Sequence, residues 1–170
     1  ILMRGFSKGG YSQVKTADLP SAYLATTIVE MSGLGRFNAT QLEKALTGKN
    51  VSITPEINEN TEVIQGSSSI KDLETMLQLN YLYFTAPRRD EQAYATVLSL
   101  MRTQLQNRDK NPKVAFSDSI QMMSSNHSDR TILMTLDMLE KVNLDKVGMF
   151  VFLVNDAILV LSFSTRWKGF

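Results

Sequence analysis

Residues 38–94, NATQLEKALTGKNVSITPEINENTEVIQGSSSIKDLETMLQLNYLYFTAPRRDEQAY, change hydrophobic period three times, and a helix cap, a turn or a proline marks each change. Asn38 and Gln41 have the spacing of a capping box, Leu42, Ala45 and Leu46 follow on one face, and Gly48 suits the end of a helix. Val51, Ile53 and Ile57 then alternate with polar residues, Asn58-Glu59-Asn60 supplies a turn, and residues 61–65 read as the return strand. Pro55 has no N–H for a ladder, which assigns its strand to a sheet edge or a bulge. Ser69 and Asp72 open a second helix in which Ile70, Leu73, Leu77, Tyr81 and Phe84 fall along one stripe, until Pro87 stops it. That stripe makes this helix the leading core candidate.

Outward from this unit, residues 1–6 read as a short strand that runs into the turn Lys8-Gly9-Gly10-Tyr11-Ser12. Asp18 precedes Leu19-Pro20 and an apolar series at Leu24, Ile28 and Met31, so a helix is expected over residues 19–32 with Gly33 as its stop. Its other face carries alanine and threonine, small enough to pack closely on a sheet. On the C-terminal side, Asp90 caps a helix carrying Tyr94, Val97, Leu98, Met101 and Leu105. Asn111-Pro112 starts another, with Val114, Ile120 and Met123 expected to face inward. Residues 124–129 form a polar loop, residues 135–142 a short helix, and Asn143 with Lys146 the start of one more. Residues 149–163 are strongly apolar but broken by Asn155-Asp156, the pattern of a buried hairpin.

Composition narrows the function classes. A chain of 170 residues with 43% hydrophobic and 21% charged residues has the profile of one globular domain with a real core. Eighteen Lys+Arg against seventeen Asp+Glu leave a net charge of +1, which supplies no field for nucleic acid or an anionic membrane surface. No stretch reaches the roughly 20 uninterrupted apolar residues of a membrane helix. The absence of cysteine excludes disulfides and thiolate metal sites. The first residues show no basic region and no cleavage site, so no signal peptide is visible, and the sequence reads as beginning inside a larger polypeptide.

The order strand, helix, helix, hairpin, helix, helix, helix is not the alternation of a parallel sheet. It predicts an α+β fold, an antiparallel sheet with helices packed on one face. The strings GGYS at 9–12, GLGRFN at 33–38, LEKALTGKNVSITPEI at 42–57 and IQGSSSIKDLETMLQLNYLYFTAPRRDE at 64–91 carry a resemblance. Over residues 1–147 the chain resembles the second, non-catalytic half of long bacterial zinc metallopeptidases of the pitrilysin/insulinase-like family. The resemblance implies the same antiparallel sheet covered by helices. It also implies that residues 1–147 are a non-catalytic peptidase-family domain lacking its first strand. Residues 148–170, which depart from the family pattern, are an atypical apolar tail, read as an added β-hairpin.

Catalytic domains of that family carry HxxEH on a helix, in which two histidines on one face bind zinc and the glutamate activates water. The helix that corresponds by position, residues 19–32, reads LPSAYLATTIVEMS and holds Glu30 but no histidine. The chain's one histidine, His127, lies in SSNHSD, where sequence neighbours do not converge into a triad, so it reads as a solvated loop residue. Gly33-Leu34-Gly35 follows a helix instead of a strand, and Gly48-Lys49 lacks the rest of a phosphate loop, so both read as helix terminators. Arg88-Arg89 is answered by Asp90-Glu91 and reads as a solvated helix start. The expectation is therefore no catalytic, cofactor-binding or metal-binding residue in this chain, with zinc held in the catalytic half of a parent protein. The leading function is a structural, substrate-chamber domain of a zinc metallopeptidase, inactive alone, whose partners are the zinc-bearing domain of the same polypeptide and peptide substrates. The alternative is a stand-alone protein-binding or scaffolding module. The resemblance favours the periplasm, with the cytoplasm as the alternative.

Overall fold

Strand formation follows the period-2 pattern of the sequence. In β1 (Leu2–Lys8) alternate residues Met3, Gly5 and Ser7 are buried, while Leu2, Arg4, Phe6 and Lys8 face away from the core. β2 (Val51–Ile57) and β3 (Thr61–Ser68) form the expected hairpin, and β3 runs three residues past the expected end because Gly66 and Ser68 remain in register with Ile53 and Val51. β4 (Val160–Ser164) pairs antiparallel with β1 from Leu2↔Ser164 to Phe6↔Val160. The sheet order is β2-β3-β1-β4, so β2 with Pro55 lies at an edge, where a missing N–H is tolerated. This computed structural model describes residues 1–108 and 110–147, together with the backbone of residues 160–164. Most of the hairpin expected over residues 149–163 lies outside the described residues.

Helices cover one face of the sheet. α1 (Leu19–Ser32) is the core helix, with Leu24, Ala25, Ile28 and Val29 each at most 2% exposed. Burial of each large apolar side chain contributes roughly 1.5–3 kcal/mol. The sheet receives this layer through size complementarity. Met3 sits opposite Gly66, and a methyl group at Gly66 would lie 2.6 Å from Ile53 Cδ1 and 3.1 Å from both Met3 Cε and Met76 Sδ. α2 (Ala39–Ala45) carries the capping box as expected, with Asn38 Oδ1 accepting from the Gln41 N–H at 2.9 Å and Gln41 Oε1 accepting from the Asn38 N–H at 3.0 Å.

α3 (Leu73–Thr85) corrects the expected stripe. Its buried residues are Met76, Leu79 and Tyr83, whereas Ile70, Leu77 and Tyr81 are exposed. The cause is Asp72, at the end of a one-turn 3₁₀ segment, Ile70–Asp72. Its carboxylate turns inward to accept from the Asn50 N–H at 3.0 Å and from the Ser69 hydroxyl at 2.5 Å, and positions 4, 7 and 11 residues later follow it inward. The leading core helix is thus α1, and α3 packs by a different face. Smaller corrections are Met31 and Ala45, both on outward faces.

α4 (Glu91–Arg108) starts at Asp90, whose Oδ1 accepts from the N–H groups of Gln92 and Ala93, and packs on α1 through Val97. α5 (Pro112–Ser124) buries no residue, and Ile120 and Met123, expected inside, are exposed. α6 (Leu136–Glu140) buries Leu139, and residues 144–147 are helical, with Asn143 Oδ1 accepting from the Asp145 N–H. Tyr94 donates to the Val142 carbonyl at 2.8 Å, which ties α4 to the end of α6. Among the described residues no helix is long and apolar enough to cross a membrane.

Candidate functional site: the glycine-turn end of the sheet

Polar groups converge where β1 runs into the turn Gly9-Gly10-Tyr11-Ser12. Glu62 shares the parity of Ile64 on β3 and therefore points into the helix-covered face, where it is 7% exposed. One of its oxygens accepts from the Ser7 hydroxyl at 2.6 Å and the other from the Gly10 N–H at 3.0 Å. The turn is further stitched to the β2–β3 connection by Tyr11 N–H to Asn58 O at 2.9 Å and Ser12 N–H to Glu59 O at 2.8 Å. Arg130, arriving from beyond α5, donates to the carbonyls of Tyr11 and Val14. Every main-chain group of this junction that these bonds reach is satisfied without water.

Beside the junction opens a groove of about 810 Å³ between Tyr11, Tyr23, Ile57, Asn58, Arg130 and Ile132. Tyr11 and Tyr23 meet as a tilted ring pair with centroids 6.3 Å apart. Burial, and secondarily Tyr23, pushes the Tyr11 phenol up to about 12, so it stays a neutral hydrogen-bonding group at physiological pH. The groove therefore offers aromatic faces, neutral polar groups, the Glu59 carboxylate and a guanidinium already engaged by carbonyls. Ser7 and Glu62 have the contact distance of a nucleophile and its base, but Ser7 is 2% exposed and both Glu62 oxygens are occupied. Their role is to lock the turn.

The residues singled out in the sequence are scattered. His127 and Asn126 both adopt positive φ, 52° and 51°, in an exposed turn after α5. Glu30 lies near the end of α1, where burial and then the Glu56 carboxylate raise its pKa. Arg88 pairs with Asp90 at 3.4 Å, and Arg89 pairs with Asp145 at 2.5 Å. Gly33 ends α1, and Leu34 bridges to Phe37 and Pro87, so this glycine segment docks the α1–α2 connection on the α3–α4 connection. Among the described residues there is no group of three His, Cys, Asp or Glu placed to hold a metal ion. Glu62 and Arg130 were missed in the sequence. Period-2 parity with Ile64 pointed Glu62 inward, whereas nothing local marks Arg130, whose partners lie more than 110 positions away.

No family model matches the chain. No curated protein matches it either. Solved structures do. A mutant of the ferredoxin protease FusC, solved in complex with Arabidopsis ferredoxin, superposes with a TM-score of 0.75 at 15% identity, over 94% of this chain and 18% of that one. The periplasmic protease PqqL from Escherichia coli gives 0.70 at 16% identity, over 90% of this chain and 17% of that one. The peptidase M16 inactive domain from Pseudomonas fluorescens gives 0.61 at 14% identity, over 92% and 45%. The chain thus spans about a fifth of the two proteases and less than half of the inactive-domain structure. An antiparallel sheet with its helices on one face, matched over nine-tenths of its length by segments of such enzymes, is the fold of the pitrilysin-type peptidase domain.

Proposed function

We propose that this chain is a non-catalytic, chamber-forming domain of a pitrilysin-type zinc metallopeptidase, working in cis with a zinc-bearing domain that hydrolyses peptides. The observation that carries the reading is a pairing. Segments of protease chains match 90–94% of the chain, while α1, the helix that the resemblance sets against the family's zinc helix, reads LPSAYLATTIVEMS without an imidazole. Three protein ligands are the minimum for a hydrolytic zinc, and Glu30 alone supplies one. The likeness to a solved inactive domain supports the same role, and the periplasmic protease among the similar structures supports a periplasmic setting. In this role residues 1–147 form the domain and residues 148–170 are an addition to it. Peptide substrates are met by its surfaces, and the hydrolytic step belongs to the zinc-bearing domain.

The test is direct. The purified chain, given zinc and a fluorogenic peptide library, is expected to show no cleavage that a chelator abolishes, while the longer polypeptide encoded by the same gene shows it. Chelator-sensitive cleavage by the 170-residue chain alone would refute the non-catalytic assignment.

A further inference from the structure

Main-chain groups around the groove beside the glycine turn are already bonded to one another. The N–H groups of Tyr11 and Ser12 reach the carbonyls of Asn58 and Glu59, and Arg130 takes the carbonyls of Tyr11 and Val14. The side chains are not. Among the described residues, the phenols of Tyr11 and Tyr23 and the carboxamides of Asn58, Asn60 and Gln121 make no hydrogen bond, although all five line the same opening of about 810 Å³. A carboxamide carries one acceptor and two donors, so the lining offers both senses of hydrogen bond without charge. Its apolar part is anchored: Tyr11, Ile57 and Ile132 are half-buried and packed on the core, and Tyr23, 40% exposed, stands on the core helix α1. Two charged residues line the groove, Glu59 and Arg130, and their opposite signs leave no net field to select an anion or a cation. A wall held by its own main-chain bonds before a ligand arrives loses little freedom on binding.

We propose that this groove is an accessory site for an uncharged, extended peptide segment bearing one aromatic or large aliphatic side chain. That side chain goes against Tyr11, Tyr23, Ile57 and Ile132, where tyrosine supplies contact area at a low cost in side-chain freedom. The peptide groups on either side each present one C=O and one N–H, the complement of a carboxamide. The opening falls within the roughly 300–1,000 Å³ of sites that enclose a small ligand, which suits a few residues of chain. A sugar would use the same carboxamides, but it carries no apolar side chain for Ile57 and Ile132. That the ligand is a peptide rests on the proposed function; the position, walls and neutrality of the groove do not. Its effect is to hold a substrate segment apart from the bond that is cut, and so to favour chains with an apolar residue in an uncharged stretch.

Nuclear magnetic resonance titration of the 170-residue chain with an end-blocked hexapeptide of alanine and serine carrying one central phenylalanine tests it. Saturable shifts are expected at the Tyr11, Asn58 and Gln121 amides, with a dissociation constant on the order of 0.1–1 mM. Added salt should change that constant by less than about twofold, as for an uncharged ligand. Alanine in place of the phenylalanine, or Tyr23→Ala in the protein, is expected to weaken binding about 10-fold. Gln121→Ala, at an exposed position whose truncation leaves the fold intact, is expected to weaken it about 3-fold. No saturable shift, shifts centred elsewhere, or unaltered affinity in both variants overturns the proposal. Tighter binding of the peptide with lysine or glutamate at the central position overturns the uncharged class, and tighter binding of maltohexaose at the same amides overturns the peptide. In the longer polypeptide encoded by the same gene, Tyr23→Ala is expected to raise KM for a fluorogenic peptide of this sequence and to leave kcat unchanged. Binding without chelator-sensitive cleavage there leaves the groove standing and refutes the proposed function, whereas cleavage with a KM indifferent to Tyr23→Ala refutes the groove and leaves that function standing.

Discussion

Replacing Gly10 with alanine tests whether the glycine turn is the lock of the sheet's end. Gly10 has φ +62°, and a methyl group there would stand 2.1 Å from Asn58 O and 2.8 Å from Thr61 N, both main-chain atoms that no rotamer change can move. The left-handed conformation costs an alanine roughly 1–2 kcal/mol. Relieving the clash requires the turn to move off the β2–β3 connection, which endangers Gly10 N–H to Glu62, Tyr11 N–H to Asn58 O and Ser12 N–H to Glu59 O. Losing two of these at about 1 kcal/mol each brings the total to about 3–4 kcal/mol. For a chain of this length, one kcal/mol lowers Tm by about 2–4 °C, so Gly10→Ala is expected to melt roughly 6–16 °C below the parent. Gly48→Ala is the control: Gly48 has φ +80°, yet a methyl group there meets nothing within 4 Å. It carries the backbone strain without the clash. Thermal denaturation followed by far-UV circular dichroism should place Gly10→Ala about 4–8 °C below Gly48→Ala, since the clash is worth about 2 kcal/mol more. Equal melting temperatures for the two variants would show that the turn is not locked by this contact.

Acid stability should depend on Asp72, whose carboxyl is held below the usual range by the Ser69 hydroxyl and then by the Asn50 N–H. A depressed carboxylate stabilises fully above its unfolded pKa of about 3.9 and loses that contribution as pH falls through the folded value. Asp72→Asn should therefore flatten the drop in Tm between pH 5 and pH 2, on the order of the window set by those two values; an unchanged drop would count against the stabilising role of its bonds to Ser69 and Asn50. Glu30 has the opposite sign, because burial and then Glu56 raise its pKa, so the folded state favours the protonated form and loses stability as pH rises through that value. Glu30→Gln is expected to raise Tm at pH 7 and to leave it unchanged near pH 3, on the order of one unit below its unfolded value. A decrease at pH 7 would contradict it. Asp118→Asn removes the paired 2.6 Å bonds from Arg108 and should speed amide exchange in α5, at a cost of about 0.5–1 kcal/mol in local stability. Exchange confined to parental rates would show that α5 is held by something else.

What the sequence displayed and what it concealed divide along a physical line. Features set by neighbours in sequence were legible: the Asn38–Gln41 box, the Asn58–Asn60 turn, the edge strand demanded by Pro55, and the helix over residues 19–32 with its stop at Gly33. Features set by which face meets the sheet were not. In α3, Leu73, Met76, Leu77, Leu79, Tyr81, Leu82, Tyr83 and Phe84 surround most of the helix, so hydrophobicity alone does not select a side. The selection comes from a polar residue, Asp72, pinned inward by Asn50 from 22 positions away. The same limit hid the candidate site: Glu62 and Arg130 are ordinary charged residues until β1 and β3 pair and the segment after α5 folds back over the glycine turn.

That division bears on α5 as well. Its Ile120 and Met123 were expected inside because their spacing is that of a buried stripe, and the chain leaves them in solvent. In α3 a misassigned stripe had a local explanation in Asp72. In α5 the inward side carries the half-buried Val114, Asp118 and Met122, so no rotation of the helix hides both stripes among the described residues. Spacing alone therefore specifies a stripe without specifying that it is buried, which is why Ile120 and Met123 were misplaced.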